Sequence, residues 1–304
     1  MNLSNIRLRT LIAMIGPMAL LLLSPGASAK PGYFVWPAVR ESQISVKGTN
    51  GFDVTIARTA RWVELSASKG DASAHYLIQR RWRPNSGYGI HATFPGLGKV
   101  SLRFLPSDKV ERRPPFCEGR ASIQRFGVFR GIIRFEGELG YTRVVSSGGR
   151  GHTYRSFREV CKDSGHAVPT RGYFLSSEAR SQGRTVSFTA FRSFAEWPSD
   201  DETTYSANLL ERRRGMIILR NAFARAPASS LSIEGAANRP NSATVAPSAP
   251  FSGTASFLVP PGAPAEWTGT LAVDLPGAGT VPLTGPQFES QLCLNDRCVG
   301  QPKR

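Results

Sequence analysis

Apolar and polar residues alternate along much of this chain with the period of two that a half-buried β-strand requires. Ile44 and Val46 alternate with polar neighbours, Thr49-Asn50-Gly51 supplies an Asn-Gly turn, and Phe52, Val54 and Ile56 resume the alternation beyond it. This pattern predicts a hairpin. Residues 62–67 and 74–78 extend it across Lys69-Gly70-Asp71. The cleanest hairpin follows: Ile90, Ala92 and Phe94 alternate with His91 and Thr93, and after Pro95-Gly96-Leu97-Gly98 the residues Val100, Leu102 and Phe104 alternate with Lys99, Ser101 and Arg103. One face is apolar and the other polar or basic, as a sheet with one buried side demands. Pro106 is expected to end this strand, with 109–115 a basic loop leading to Cys117.

Residues 127–144, GVFRGIIRFEGELGYTRV, read as a buried hairpin between Cys117 and Cys161, with Ile133 and Phe135 on one side and Ile132 and Arg134 on the other. The glycines of 146–155 suggest a mobile loop, 185–191 and 216–223 are further strands, and 209–213 reads as a short helix. Residues 224–250 are rich in Ala, Ser, Asn and Pro and read as a linker or covering loop. Beyond them Leu271, Val273 and Leu275 face Val281 and Leu283 across Pro276-Gly277-Ala278-Gly279, a second copy of the FPGLGKVSL hairpin as LPGAGTVPL. Pro-Gly-x-Gly suits many hairpins, so the likeness reads either as shared turn chemistry or as two related β units.

The expected fold is therefore all-β and antiparallel β-sandwich-like, with two β units joined by a loop-rich linker. Residues 30–224 would be a basic β-rich domain, 225–250 the linker or covering loop, and 251–304 a small C-terminal β unit. Ahead of them, 1–29 have the parts of an export signal: Arg7 and Arg9, an apolar run over 11–23, and Ala27-Ser28-Ala29 as cleavage site. That run is shorter than a bilayer-spanning helix needs and is interrupted by Gly16 and Pro17. The expectation is a secreted or cell-envelope protein, outside the cytoplasm, with no transmembrane segment in the mature chain.

Export gives the four cysteines a meaning, since thiols in an oxidising compartment pair. Of three connectivities, Cys117 with Cys161 and Cys293 with Cys298 is favoured, the last two being close enough to close a small loop. Their spacing does not suit a paired Cys-x-x-Cys zinc site.

Charge adds a partner class. The chain has 38 Lys+Arg against 22 Asp+Glu. Loss of two signal arginines leaves 36 against 22, or +14. From Arg225 onward five basic and five acidic residues cancel, so all the excess lies in the first unit. Such asymmetry points to an anionic cell-wall polymer, polysaccharide or extracellular nucleic acid, with a solubilising arginine bias as the plainer alternative.

Candidate chemistry is thin. Glu136 and Glu138 on a regular strand would share a face about 7 Å apart, a separation compatible with glycosidic cleavage; Gly137 between them favours a solvated hairpin tip instead. Arg80, Arg81, Trp82 and Arg83 mix guanidinium and indole as an anion-binding site would, or form a strand end with a packed tryptophan. His152, Cys161 and His166 are irregular for a metal, and Asp200-Asp201-Glu202 lacks the alternating ligands of a calcium loop. No nucleophile elbow, phosphate loop or His-Glu-x-x-His occurs, and nothing calls for a cofactor.

GIIRFEGELGYTRV with its flanking cysteines, together with PFSGTASF, WTGTLAVDLPGAGTVPLTGPQF and Cys293, resembles a group of exported β-rich proteins of soil actinobacterial type without an assigned activity. The resemblance spans most of the mature chain, with Cys298 an addition, and implies location and architecture. The reading is a non-enzymatic extracellular binding protein; a carbohydrate-active hydrolase using Glu136 and Glu138 is the alternative.

Overall fold

The computed structural model describes residues 33–36, 38–80, 87–115, 117–162, 172–193, 202–236, 239–259, 265–294 and 297–300. The expected signal at 1–29 lies outside them, as do Arg81, Trp82, Arg83, His166, Asp200 and Asp201. No helix among the described residues is long and apolar enough to cross a membrane.

The fold is all-β. Its first half runs β1 (Tyr33–Trp36), β2 (Arg40–Lys47), β3 (Asp53–Arg58), β4 (Trp62–Lys69), β5 (Ala72–Gln79), β6 (Ile90–Phe94), β7 (Gly98–Arg113), β8 (Ser122–Phe135), β9 (Val144–Arg155) and β10 (Glu159–Lys162). The second half runs β11 (Gly172–Ser181), β12 (Arg184–Ser193), β13 (Glu202–Arg213), β14 (Met216–Pro227), β15 (Leu231–Ala236), β16 (Arg239–Val245), β17 (Phe251–Ser252), β18 (Ala255–Leu258), β19 (Glu266–Gly269), β20 (Ala272–Leu275), β21 (Gly279–Pro282), β22 (Glu289–Leu294) and β23 (Arg297–Gly300).

Fourteen strands form one sheet in the order β23-β22-β11-β12-β13-β14-β5-β4-β3-β2-β9-β8-β7-β6. The pairing of β14 with β5 joins the two halves. At one end the sheet curls far enough to bring β6 close to β4 and β5, enclosing a core that includes Val54, Ile56, Leu65, Tyr76, Phe94, Leu102, Phe129 and Ile133. At the other end, sheets of β15-β16-β18-β19 and β17-β20-β21 cover the second core, which includes Phe188, Tyr205, Leu209, Phe257, Trp267 and Leu292.

Two cores are present, but their division differs from the sequence reading. The second core draws on strands from 172 to 294: Leu175, Val186, Phe188, Ala190, Tyr205, Ala207, Leu209, Ala222 and Ala224 pack with the C-terminal segment, whereas Met216 and Ile218 of β14 belong to the first core. Residues 231–236 and 239–245, read as linker or covering loop, are β15 and β16, paired with each other and burying Leu231, Ala243 and Val245. Small residues suggest a linker, yet alternating Ala and Val suffices for a strand packed over a core already supplied with large aromatics.

Three local readings are corrected as well. The expected helix at 209–213 is strand, because Thr203, Tyr205, Ala207 and Leu209 are buried with period two and β13 is paired on both sides. The expected mobile loop at 146–155 is β9, in which glycine serves close approach: a Cβ on Gly151 would lie 2.4 Å from the Gln43 carbonyl and 2.7 Å from the Phe129 ring. Pro106 does not end its strand; β7 continues to Arg113 through a register shift between Pro106 and Val110, the kind of irregularity at which a sheet tolerates proline.

Both disulfides form as the spacing suggested. Cys117–Cys161 closes a separation of 44 residues around β8 and β9, and Cys293 faces Cys298 across the β22–β23 pair. A loop of that length corresponds to about 4 kcal/mol in the chain-entropy model.

Candidate functional site

The outward side of β6–β9 is built by the same alternation that fills the first core. Val100, Leu102, Ile133 and Phe135 turn inward and are buried, so Lys99, Ser101, Arg103, Arg130, Ile132 and Arg134 face solvent. Cross-strand register then places like charges opposite each other: Lys99 against Arg134, and Arg103 against Arg130. Val128 stands opposite both Leu105 and Arg150, and Arg134 opposite Val145. At this end of the face Glu136 accepts from Arg134 at 3.1 Å and lies 3.3 Å from Arg143; farther along β7, Glu111 lies 3.3 Å from Lys109 and 4.0 Å from Arg113. No described carboxylate lies within ion-pair distance of Lys99, Arg103, Arg130 or Arg150.

Apolar side chains are interspersed with these cations. Ile132 is 53% and Val145 64% exposed, high for β-branched residues of paired strands. Farther along the ribbon, Lys109 sits 4.5 Å from the Phe126 ring centroid and Arg155 4.8 Å from that of Phe157. The surface is thus cationic, partly apolar and partly aromatic. An open depression of about 480 Å3 lies at its end, lined by 93–99 with Arg134 and Glu136.

Arg80 reaches the same region. Burial first, and then the positive charges of Arg58 and Arg80, hold His91 below the usual imidazole range. Arg58 donates to the carbonyls of Gly87 and Gly89, both at 2.5 Å, just ahead of β6. Of the expected Arg80, Arg81, Trp82 and Arg83 cluster, the described member therefore adjoins the basic face; the other three lie outside the described residues.

Glu136 and Glu138 are not an opposed pair on one strand. β8 ends at Phe135, and Gly137 with φ 89° breaks the alternation that would put both carboxylates on one side. Glu136 turns to Arg134 and Arg143, whereas Glu138 accepts from Arg213 of β13 at 2.9 Å. Both are substantially exposed. Among the described residues no three His, Cys, Asp or Glu side chains converge as a metal site would require.

The loop holding those glutamates has another task. It seats the second Pro-Gly-x-Gly turn: the Tyr76 hydroxyl donates to the Glu138 carbonyl at 2.6 Å, the Gly279 N–H donates to the Tyr141 hydroxyl at 3.0 Å, and buried Arg220 donates to the Pro276 carbonyl at 3.0 Å. Arg220 also pairs with Glu211. Burial pushes the Tyr76 phenol above its ordinary value, with Arg220 pulling the other way, so it remains a donor.

No protein-family model matches the chain, and no curated protein matches it in sequence. A crystal structure from Nitrosomonas europaea, provisionally assigned as an AttH, aligns over 90% of this chain and 99% of its own at 12% identity, with a TM-score of 0.21. At that score the likeness carries no argument.

The cationic pairs were half legible in sequence. Alternation assigns Lys99, Ser101 and Arg103 to one polar face, but that Arg130 and Arg134 lie directly across depends on long-range register between β7 and β8. The Arg80–Arg83 cluster is legible because it is contiguous in sequence.

Proposed function

We propose that this protein is exported and binds anionic polymer on the outer face of β6–β9. The observation that carries the reading is the pairing of Arg103 directly opposite Arg130. Like charges facing each other across a ladder destabilise a sheet, and no described carboxylate offsets them; an anionic chain lying along the face would. Lys99 and Arg134 extend the same track, and exposed Ile132 and Val145 would pack against sugar or base faces between successive anionic groups. The open shape of the surface suits a linear polymer better than an enclosed small molecule. Cell-wall polymer, acidic polysaccharide and extracellular nucleic acid share the required charge.

The test is retention of the mature protein on immobilised anionic polysaccharide and on single-stranded DNA over a salt gradient. Retention that weakens as salt rises is expected, because exposed charge interactions are screened within about 10 Å at 0.1 M salt. Flow-through on both matrices at low salt would overturn the proposal.

A further inference from the structure

Away from the basic face, the outward side of β4, β5 and β14 carries a hydrogen-bond relay that the binding proposal does not use. Glu64 points outward from β4, Ser73 and His75 outward from β5, and Asn221 outward from β14, each set there by the alternation that buries Leu65, Ala74 and Ala222. His75 Nδ1 lies 2.7 Å from Glu64 Oε1, and His75 Nε2 lies 2.9 Å from Ser73 Oγ. The Ser73 hydroxyl also donates to the Asn221 side-chain oxygen Oδ1. His75 is only 9% exposed although it stands on the outer side of the sheet.

We infer that Ser73, His75 and Glu64 form an acyl-transfer site that hydrolyses esters with a small apolar acyl group. The serine–imidazole–carboxylate order is what such chemistry needs, and it is recognised by geometry rather than by position in the chain. Glu64 accepts from Nδ1–H and fixes the tautomer, leaving Nε2 to accept from the Ser73 hydroxyl. Rotating the Asn221 amide by half a turn would replace the acceptor Oδ1 with the donor Nδ2, so that the Ser73 hydroxyl proton turns from Asn221 to Nε2; amide oxygen and nitrogen are interchangeable in shape. Asn208, directly opposite Asn221 on β13, adds a second amide donor beside the site. These side chains are the available donors for an oxyanion, since the strand N–H groups here are engaged in the sheet. Half-buried Leu77 and Leu219 flank the relay and supply an apolar seat for the acyl group. The charge on Glu64 is felt locally: burial first, then Glu64, raises the Glu41 carboxyl above its ordinary value.

The reaction balances without a cofactor. Ser73 Oγ bonds to the ester carbonyl carbon as its proton passes to Nε2; the bond to the leaving alcohol breaks and the alcohol takes that proton. Water then attacks the acyl-serine, gives a proton to Nε2, and the acid departs as the proton returns to Ser73. Ester and water yield acid and alcohol.

The experiment treats the mature protein with a fluorophosphonate probe, maps the labelled peptide by mass spectrometry, and follows hydrolysis of p-nitrophenyl butyrate. Label on Ser73 is expected, with hydrolysis falling about 100-fold or more in Ser73→Ala and strongly in Glu64→Gln, as for loss of general-base assistance. The mapped label in the unmodified protein does not depend on any variant folding. No label on Ser73, or equal hydrolysis by the unmodified protein and a folded Ser73→Ala, would overturn the inference and assign the relay to sheet stability. Polymer retention does not enter either readout.

Discussion

The two Pro-Gly-x-Gly turns of this protein share a sequence pattern, a backbone hydrogen bond and a place between paired strands, yet one has an exposed tip and the other is a structural key. In the first, Leu97 N–H donates to the Phe94 carbonyl at 3.0 Å; in the second, Ala278 N–H donates to the Leu275 carbonyl at the same distance. The first turn lies at the β6 edge and borders an open depression. The second inserts against the loop after β8, where Tyr76, Tyr141 and Arg220 grip it and tie the two cores together. Turn chemistry fixes local shape; the surroundings decide what that shape is for.

The largest way to break the contrast is Arg220→Ala. It removes a buried guanidinium that holds both Glu211 and the Pro276 carbonyl, and should cost about 3 kcal/mol, the scale for breaking one side of a buried ion pair. Denaturant unfolding would show it as a lower midpoint; an unchanged midpoint would mean that the second turn does not knit the cores.

Gly277→Ala should come next, at about 2–3 kcal/mol, because φ is +71° and the new Cβ would lie 2.5 Å from the Glu138 carbonyl. Gly96→Ala, with a similar φ of +79°, would meet only the tip of Arg214 at 3.0 Å and should cost about 1 kcal/mol. Equal losses at the two glycines, measured side by side, would erase the distinction between an exposed and a docked turn.

The sequence made strands, the hairpin turns and both disulfides readable, because each is written in local alternation, Asn-Gly or Pro-Gly dipeptides, or cysteine spacing. What it hid was long-range. Glycines 148 and 151 read as a mobile loop because the groups they approach, the Phe129 backbone and ring and the Gln43 carbonyl, are distant in the chain. Strands β11 to β13 read as part of the basic unit because the strands that complete their core, β15 to β22, follow them in the chain, while β14 serves both cores. Arg103 and Arg130 gave no joint signal for the same reason, and neither did Glu64 with Ser73 and His75, although the spacing of Ser73 and His75 already put both on one strand face.

A smaller effect sharpens the electrostatic side. Glu136→Gln removes the carboxylate that partly offsets Arg134 and Arg143, so retention on an anionic matrix should rise slightly, by less than about 1 kcal/mol in binding, the usual range for an exposed pair. A loss of polysaccharide hydrolysis in the same variant would instead support the glycosidase reading of Glu136 and Glu138.

The most direct measurement compares two double variants of equal net charge on the same anionic polysaccharide. Arg103→Glu with Arg130→Glu reverses the facing pair of β7 and β8; Arg180→Glu with Arg184→Glu makes the same change on the β11–β12 hairpin. If the β6–β9 face binds the polymer, the first should weaken binding about tenfold or more, with each reversed contact worth on the order of 1 kcal/mol, while the second stays near the unmodified protein. Equal weakening by both variants, or none by the first, would contradict a localised binding face.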